Sequence, residues 1–289
     1  MERVGSMNEP DTVIDYPERE VRAVHAVLME LGQVLGSWRD KFVIVGGAVP
    51  WLLLEGAKPE HIGTTDIDLD LDPCALTDGE YATLIEALEQ KGYERGSPDL
   101  KPFQLRRTVR VDNGSPIGVL VDLLMPRNAR GDGNKEKLVE GLRVQRADGC
   151  DIALDNWVMK TLEGKMPDGR DNSVTVQIAT IPALLVMKGY ALVGRDKKKD
   201  SYDIYYSVRH YVGGTPALSA ECAKLIENAV ARIGFGHIAG KFRHLDDFGP
   251  VTVRKFLEES DALGGMTPDQ VQTDAYMRVF ALLKDLKLV

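Results

Sequence analysis

Several common features of protein chains are scarce or missing in this sequence. Its 289 residues include only three cysteines, Cys74, Cys150 and Cys222, and these lie too far apart for a disulfide framework or a zinc site. No run of about 18 apolar residues occurs, so we expect no membrane-spanning helix. The first residues lack the apolar core of a secretory signal. We therefore expect a protein of the reducing cytoplasm that has no membrane partner.

Basic residues are also fewer than acidic residues. The chain carries 36 Lys and Arg against 44 Asp and Glu, which gives a net charge of −8 and a pI of about 5.3. This balance argues against binding nucleic acid by bulk electrostatics, but it allows a local basic site. Two clusters are candidates for such a site, or else lie on solvated loops: Arg106, Arg107 and Arg110, and Arg195, Lys197, Lys198 and Lys199.

The pattern of apolar residues changes near Thr180. Before it, β-like runs at 42–45, 65–72, 102–111, 116–125, 142–145, 150–154 and 173–179 are mixed with helical patterns at 18–38, 48–57 and 76–92. After it, the patterns are helical, beginning with Thr180 as a helix cap and Pro182 in the first turn. We predict an α/β domain over residues 1–180 and a helical domain over 181–289. The expected fold class is α+β, with a mixed sheet and helices followed by the helical part.

The segment TTDIDLDLD at 64–72 alternates acids with apolar residues. On a strand, every second residue shares a face, so Asp66, Asp68, Asp70 and Asp72 would face one way and Ile67, Leu69 and Leu71 the other. We expect Asp72 to end the strand. Two carboxylates roughly 7 Å apart on one face raise each other's pKa unless a cation lies between them. Mg²⁺ commonly uses one or two carboxylates together with substrate phosphates. The segment alone is equally typical of a solvated, acidic strand face.

The context of this strand favours a metal site. Gly46 and Gly47 lie between a predicted strand and a predicted helix, where backbone N–H groups can bind a phosphate. Asp122 is an isolated acid in the apolar run 117–125, and a shared metal would compensate its charge. Asp66, Asp68 and Asp122 are therefore our candidate metal ligands, although a lone acid at a strand end or in an ion pair would look the same.

Lys188 supplies a candidate partner for the phosphates. On a helix it shares an apolar face with Leu184, Leu185 and Leu192. A lysine there is unfavourable unless its ammonium finds an anion, or unless the side chain simply reaches the surface. Arg195 follows seven residues later on the same face.

Together these motifs resemble a known family. Gly46–Gly47 followed by Thr65-Asp66-Ile67-Asp68 resembles the G-[GS]…D-x-D motif of the DNA polymerase β-type nucleotidyltransferases. Residues 188–203, with their Lys188, Arg195, Lys199-Asp200 and Asp203, resemble the helical signature of the AbiEii/MenT branch, the nucleotidyltransferase toxins of type IV toxin–antitoxin systems. The resemblance covers about residues 42–210. It departs from the family at 61–64, where many relatives carry an arginine and this chain has His-Ile-Gly-Thr.

The resemblance implies a polymerase β-like palm and transfer of NMP from an NTP to an acceptor hydroxyl. We expect Asp66 and Asp68 to bind Mg²⁺ and Asp122 to bind a second ion and activate the acceptor. The NTP phosphates would lie against Gly46, Gly47, Thr65, Lys188 and Arg195. Asp200 or Asp203 would orient Lys188 or Arg195.

Its further implications concern partners. The acceptor would be RNA, at a tRNA 3′ end, and a cognate antitoxin protein would relieve the resulting growth arrest. Two alternatives stay open from the residues: a small-molecule nucleotidyltransferase of the aminoglycoside-modifying kind, and a non-catalytic binding module of the same fold.

Overall fold

One mixed β-sheet forms the centre of the computed structural model, which describes residues 18–112, 114–127, 142–195, 197–259 and 262–289. Within these residues the strands are β1 (Phe42–Val45), β2 (Asp66–Leu71), β3 (Tyr93–Glu94), β4 (Gln104–Val109), β5 (Ile117–Pro126), β6 (Gln145–Ala147), β7 (Trp157–Lys165) and β8 (Asp171–Ala179). They pair in the order β3-β4-β5-β2-β1-β8-β7, and β6 pairs with β5. The polar loop that the sequence predicts at 127–137 lies almost entirely outside the described residues.

Helices precede, interrupt and follow this sheet. The first four are α1 (Glu18–Val34), α2 (Ala48–Leu53), α3 (Asp78–Gln90) and α4 (Cys150–Asp155), and a short 3-10 helix at Leu35–Trp38 extends α1. After the last strand come α5 (Ile181–Gly194), α6 (Lys198–His210), α7 (Gly214–Ala223), α8 (Ala229–Phe242), α9 (Phe248–Glu258) and α10 (Pro268–Asp285). The expected class, a mixed sheet with helices followed by a helical region, is confirmed.

Strand β2 occupies the middle of the sheet. It runs antiparallel to β1, with Val45 opposite Asp68, and parallel to β5, with Asp68 beside Asp122. Ile67 on its other face is fully buried, as the alternation predicts. The register therefore brings the end of β1, the acids of β2 and Asp122 to one place.

Local capping explains where the key helices begin. The Thr180 hydroxyl accepts a hydrogen bond from the Ala183 N–H at the start of α5, with Pro182 in the first turn. Thr77 and Glu80 form a reciprocal capping box at the start of α3. Both starts agree with the sequence prediction, and the first of them places Lys188 in the middle of α5.

Two local predictions were wrong, and strand β7 was missed. Residues 150–154, predicted as a strand, form the short helix α4, because a short apolar run fits a buried helix as well as a strand. The apolar pattern at 217–234 predicts one helix, but the segment forms parts of two, because Asn228 caps a new helix with its side-chain oxygen. Strand β7 was not predicted: most of its residues are exposed, so it lacks an apolar face that would reveal it.

No helix in the described part of the chain combines the length and apolar character needed to cross a membrane.

Candidate active site

A cleft of about 440 Å³ lies where β1, β2 and β5 face α5 and the start of α6. Most of the residues that the sequence analysis predicts for the metal and nucleotide site line this cleft. Those that line it are Gly46, Gly47, Asp66, Asp68, Asp122, Lys188 and Arg195. Acids from the sheet and cations from the helices thus face a single cavity, although they come from distant parts of the chain.

The two glycines form the tight turn between β1 and α2. Gly46 has φ +70°, and a Cβ there would collide with the Asp68 carboxylate. A Cβ on Gly47 would lie 2.8 Å from the Thr64 hydroxyl and 2.9 Å from the Lys199 ammonium. Backbone conformation and space therefore favour glycine at position 46, and at position 47 a larger residue would displace polar side chains of the cleft that pack against the backbone.

The three aspartates influence one another. Burial raises the pKa of Asp68 to about 8, and the neighbouring charges of Asp66 and Asp122 add to the effect. Burial also acts on Asp66, but Lys197, the Thr64 hydroxyl and Lys199 outweigh it and lower the pKa of that carboxyl. The cluster therefore holds negative charge at a cost that a cation would relieve.

These oxygens suit a hard divalent cation that also binds a substrate. Among the described residues, no group of three or more His, Cys, Asp or Glu side chains is arranged to hold a metal ion by itself. Mg²⁺ commonly completes its octahedral shell with water and substrate phosphates. Asp66, Asp68 and Asp122 therefore fit an ion that arrives with a phosphate-bearing ligand, and not an ion held by protein alone.

Thr64 lies where the sequence analysis expected Thr65. The Thr64 hydroxyl donates to Asp66 Oδ1 at 2.7 Å and lines the cleft, whereas Thr65 is not among the lining residues. The period of two along an extended chain places Thr64 on the same side as Asp66 and Asp68, and this signal could have identified it.

The remaining two acids of the alternating segment have other surroundings. Asp70 is fully buried beside Cys150, and burial raises its pKa well above the usual value. Asp70 does not line the cleft, so it lies apart from the three candidate metal ligands. Asp72 follows the strand and accepts hydrogen bonds from the backbone N–H groups of Cys74 and Ala75, which agrees with the expectation that it ends the strand.

Lys188 is held by a buried ion-pair network. Its ammonium lies 2.6 Å from Asp200 Oδ1 and 2.7 Å from Asp203 Oδ2, and both aspartates are fully buried. Burial opposes the charge, but Asp200 and Asp203 outweigh it and raise the pKa of Lys188. Arg195 binds Asp200 at 2.8 and 3.1 Å. Asp200 and Asp203 thus fix the positions of Lys188 and Arg195.

Lys199 is a cleft residue that the sequence analysis named in a basic cluster and in the helical signature, but not as a site residue. It is 3% exposed and bonds Asp203 at 3.0 and 3.1 Å. Burial lowers its pKa. The pair is spaced i, i+4 on α6, a signal that becomes useful only once the start of that helix is known.

His61 completes this network from the loop before β2. Its Nδ1 accepts the Gly63 N–H at 3.1 Å, so the proton is on Nε2, which donates to Asp203 Oδ1 at 3.0 Å. Burial lowers the pKa of His61 to about 4. Tyr202 and Tyr206 pack against the ring. The neutral histidine fixes Asp203 without adding charge.

The two basic clusters lie in different environments. Arg106 pairs with Glu94 and Asp99, and Arg107 pairs with Glu30; neither arginine lines the cleft. Lys197 and Lys199 do line it. Further lining residues that the sequence analysis missed are Lys101, Phe103, Arg127, Arg146, Asp148 and Tyr190.

Two solved structures resemble the chain. JHP933 from Helicobacter pylori has 12% sequence identity and a TM-score of 0.42, over 92% of this chain and 94% of that one. A proposed nucleotidyltransferase from H. pylori has 13% identity and a TM-score of 0.39, over 91% and 96%. No protein-family model and no curated protein matches the chain. Similarity at this level assigns no activity, so the functional argument depends on the cleft.

Proposed function

We propose that the chain is a Mg²⁺-dependent nucleotidyltransferase that transfers NMP from an NTP to an acceptor hydroxyl. The main supporting observation is that one cleft is lined both by the carboxylates of Asp66, Asp68 and Asp122 and by the ammonium groups of Lys188 and Lys199. The acids suit the metal that accompanies a nucleotide, and the cations suit its phosphates.

In this mechanism the acceptor oxygen attacks the α-phosphorus, and the bond to pyrophosphate breaks. Asp122 takes the proton from the acceptor hydroxyl. Lys188 and Lys199 neutralise the charge that develops on pyrophosphate, because an ammonium within a protein stabilises developing negative charge more than water does. Asp66, Asp68 and Asp122 would hold Mg²⁺, which when bound would supply positive charge that neutralises the phosphates. The turn at Gly46 and Gly47 offers backbone N–H groups to the same phosphates.

The charge of the cleft supports a polyanionic acceptor. Among the described residues, seven basic side chains line it, Lys101, Arg127, Arg146, Lys188, Arg195, Lys197 and Lys199, against four acids, Asp66, Asp68, Asp122 and Asp148. With Asp200 and Asp203, which pair with Lys188, Lys199 and Arg195, the described acids number six. An RNA backbone complements this excess, whereas a polycationic aminoglycoside would be repelled. With the resemblance of residues 188–203 to the AbiEii/MenT signature, this favours a tRNA 3′ end as acceptor, and a toxin whose partner is a cognate antitoxin protein.

The test is incubation with Mg²⁺, each labelled NTP and total tRNA. We expect label on the RNA with wild type and a loss of at least 10³-fold with Asp68→Asn, since metal-assisted stabilisation supplies several kcal/mol. Asp72→Asn is the matched control, because Asp72 lies in the same segment but outside the cleft. Equal labelling by wild type and Asp68→Asn, or no labelling at all, would contradict the enzyme. Label on an added aminoglycoside and not on RNA would contradict the acceptor.

A further inference from the structure

Gln104 is a buried polar residue next along the chain to Phe103, which lines the cleft, and the mechanism above does not use it. It is the first residue of β4 and is 6% exposed. In the antiparallel pairing of β4 with β5, Gln104 lies opposite Asp122. Its side chain is therefore placed next to the acid that would activate the acceptor.

Both ends of the Gln104 amide are bonded. Nε2 donates to Asp122 Oδ1 at 2.8 Å, and Oε1 accepts the Lys101 N–H at 3.0 Å. A carboxylate only accepts and a backbone N–H only donates, so the amide has a single orientation that satisfies both neighbours. A buried side chain bonded at both ends keeps one rotamer.

We propose that Gln104 is the positioning residue for Asp122, and through it for the cation of the proposed function, on which this inference rests. A neutral donor suits this role. A lysine at this position would neutralise Asp122 and compete with the metal, and an acid would repel it. Hydrogen bonds to a ligating carboxylate orient it, and their loss typically costs 10–100-fold in metal affinity or activity.

The same side chain connects Asp122 to the wall that the acceptor would contact. Lys101 and Phe103, which flank Gln104 along the chain, line the cleft. The Leu123 N–H bonds the Phe103 carbonyl at 3.0 Å, which ties this wall to β5 beside Asp122. Lys101 and Phe103 therefore keep a fixed position relative to Asp122, the proposed proton acceptor.

Gln104→Met tests the role, because methionine has a similar length and fills the same space without a donor. Gln177→Met is the matched control: Gln177 is also 6% exposed, lies on β8 and does not line the cleft. Melting curves of both variants check that each still folds.

The first measurement is the binding of Mn²⁺ together with a non-hydrolysable NTP analogue, followed by electron paramagnetic resonance. We expect Gln104→Met to bind 10–100-fold more weakly than wild type, and Gln177→Met to bind like wild type. The second is the Mg²⁺ concentration needed for half-maximal labelling, which we expect to rise by the same factor in Gln104→Met while saturating Mg²⁺ restores most of the rate. A purely structural role would instead lower the rate at every Mg²⁺ concentration.

The outcomes separate the two proposals. If wild type and Asp122→Asn bind Mn²⁺ equally, the metal is not at Asp122 and the proposed function fails with the inference. If binding depends on Asp122 but Gln104→Met matches wild type, the role of Gln104 is overturned and the proposed function stands.

Discussion

The two sides of the cleft use charge in opposite ways. On the sheet side, Asp66, Asp68 and Asp122 carry like charges, and this repulsion helps raise the pKa of Asp68 to about 8. On the helix side, Lys188 and its aspartates are paired at 2.6 and 2.7 Å and fully buried. The sheet side is thus prepared to receive a cation, whereas the helix side already contains its counter-ions.

This difference has an energetic meaning. Repulsion between neighbouring acids lowers stability until a ligand relieves it, which is typical of binding sites. A buried ion pair, in contrast, becomes very unfavourable when one partner is removed. Substitutions on the two sides should therefore change stability in opposite directions.

The largest expected effect is on the helix side. Lys188→Met should lower the free energy of unfolding by about 3–5 kcal/mol, because it leaves Asp200 and Asp203 buried with less compensation. Urea unfolding measures it. Lys198→Met is the control, since Lys198 makes an exposed pair with Glu259 and should cost less than about 1 kcal/mol. Equal losses in the two variants would contradict the buried network.

On the sheet side, Asp68→Asn should stabilise the metal-free protein by several kcal/mol at pH 8. The folded pKa of about 8 lies above the unfolded value of 3.8, so the carboxyl destabilises the fold increasingly as pH rises from 4 to 8. The gain should therefore vanish near pH 4. Melting temperatures across this range measure it, and a variant less stable than wild type at pH 8 would refute the repulsion.

The network that holds Lys188 should also respond to acid. His61 has a pKa of about 4 in the fold against 6.5 unfolded, so protons bind the unfolded chain preferentially between these values. Wild type should lose about 2 kcal/mol from His61 between pH 7.5 and 5. His61→Gln should show a shallower pH slope in urea unfolding. An identical slope in both proteins would mean that His61 does not titrate in this way.

The smallest effect is expected outside the cleft. Arg106→Gln breaks pairs with Glu94 and Asp99 near the surface and should cost less than about 1 kcal/mol. Its labelling activity should equal that of wild type, whereas Lys197→Gln, in the cleft, should label RNA several-fold more weakly. A similar loss of activity in both variants would place the acceptor contacts elsewhere.

Local pattern was enough to predict part of the site. The alternation in TTDIDLDLD put Asp66 and Asp68 on one face, and the apolar surroundings of Lys188 showed that its ammonium needs an anion. In the structure that anion is supplied by Asp200 and Asp203, which the sequence analysis had proposed as its orienting partners. Prediction failed where a segment is short, as at Cys150–Asp155, since six residues carry too little periodicity to separate helix from strand.

Other features depend on which segments meet. In the sequence, Lys199 is one of three consecutive lysines and does not stand out. In the structure, it lies at the start of α6, where it contacts Asp203 and the turn at Gly47. Gln104 carried no signal at all, because its importance comes from its register opposite Asp122. Arg106 and Arg107 resembled a basic site, but their acids come from other elements of the fold.

The sequence by itself determined which acids share a face, where the glycine turn lies and that Lys188 is buried in an apolar helix, because these properties follow from the repeat of a strand or helix. Only the tertiary structure decided that three acids and two lysines face the same cleft, and that Asp70 does not. Strand register and helix packing decide which residues face the cleft. Both depend on contacts between distant segments, which the local spacing of apolar residues does not reveal.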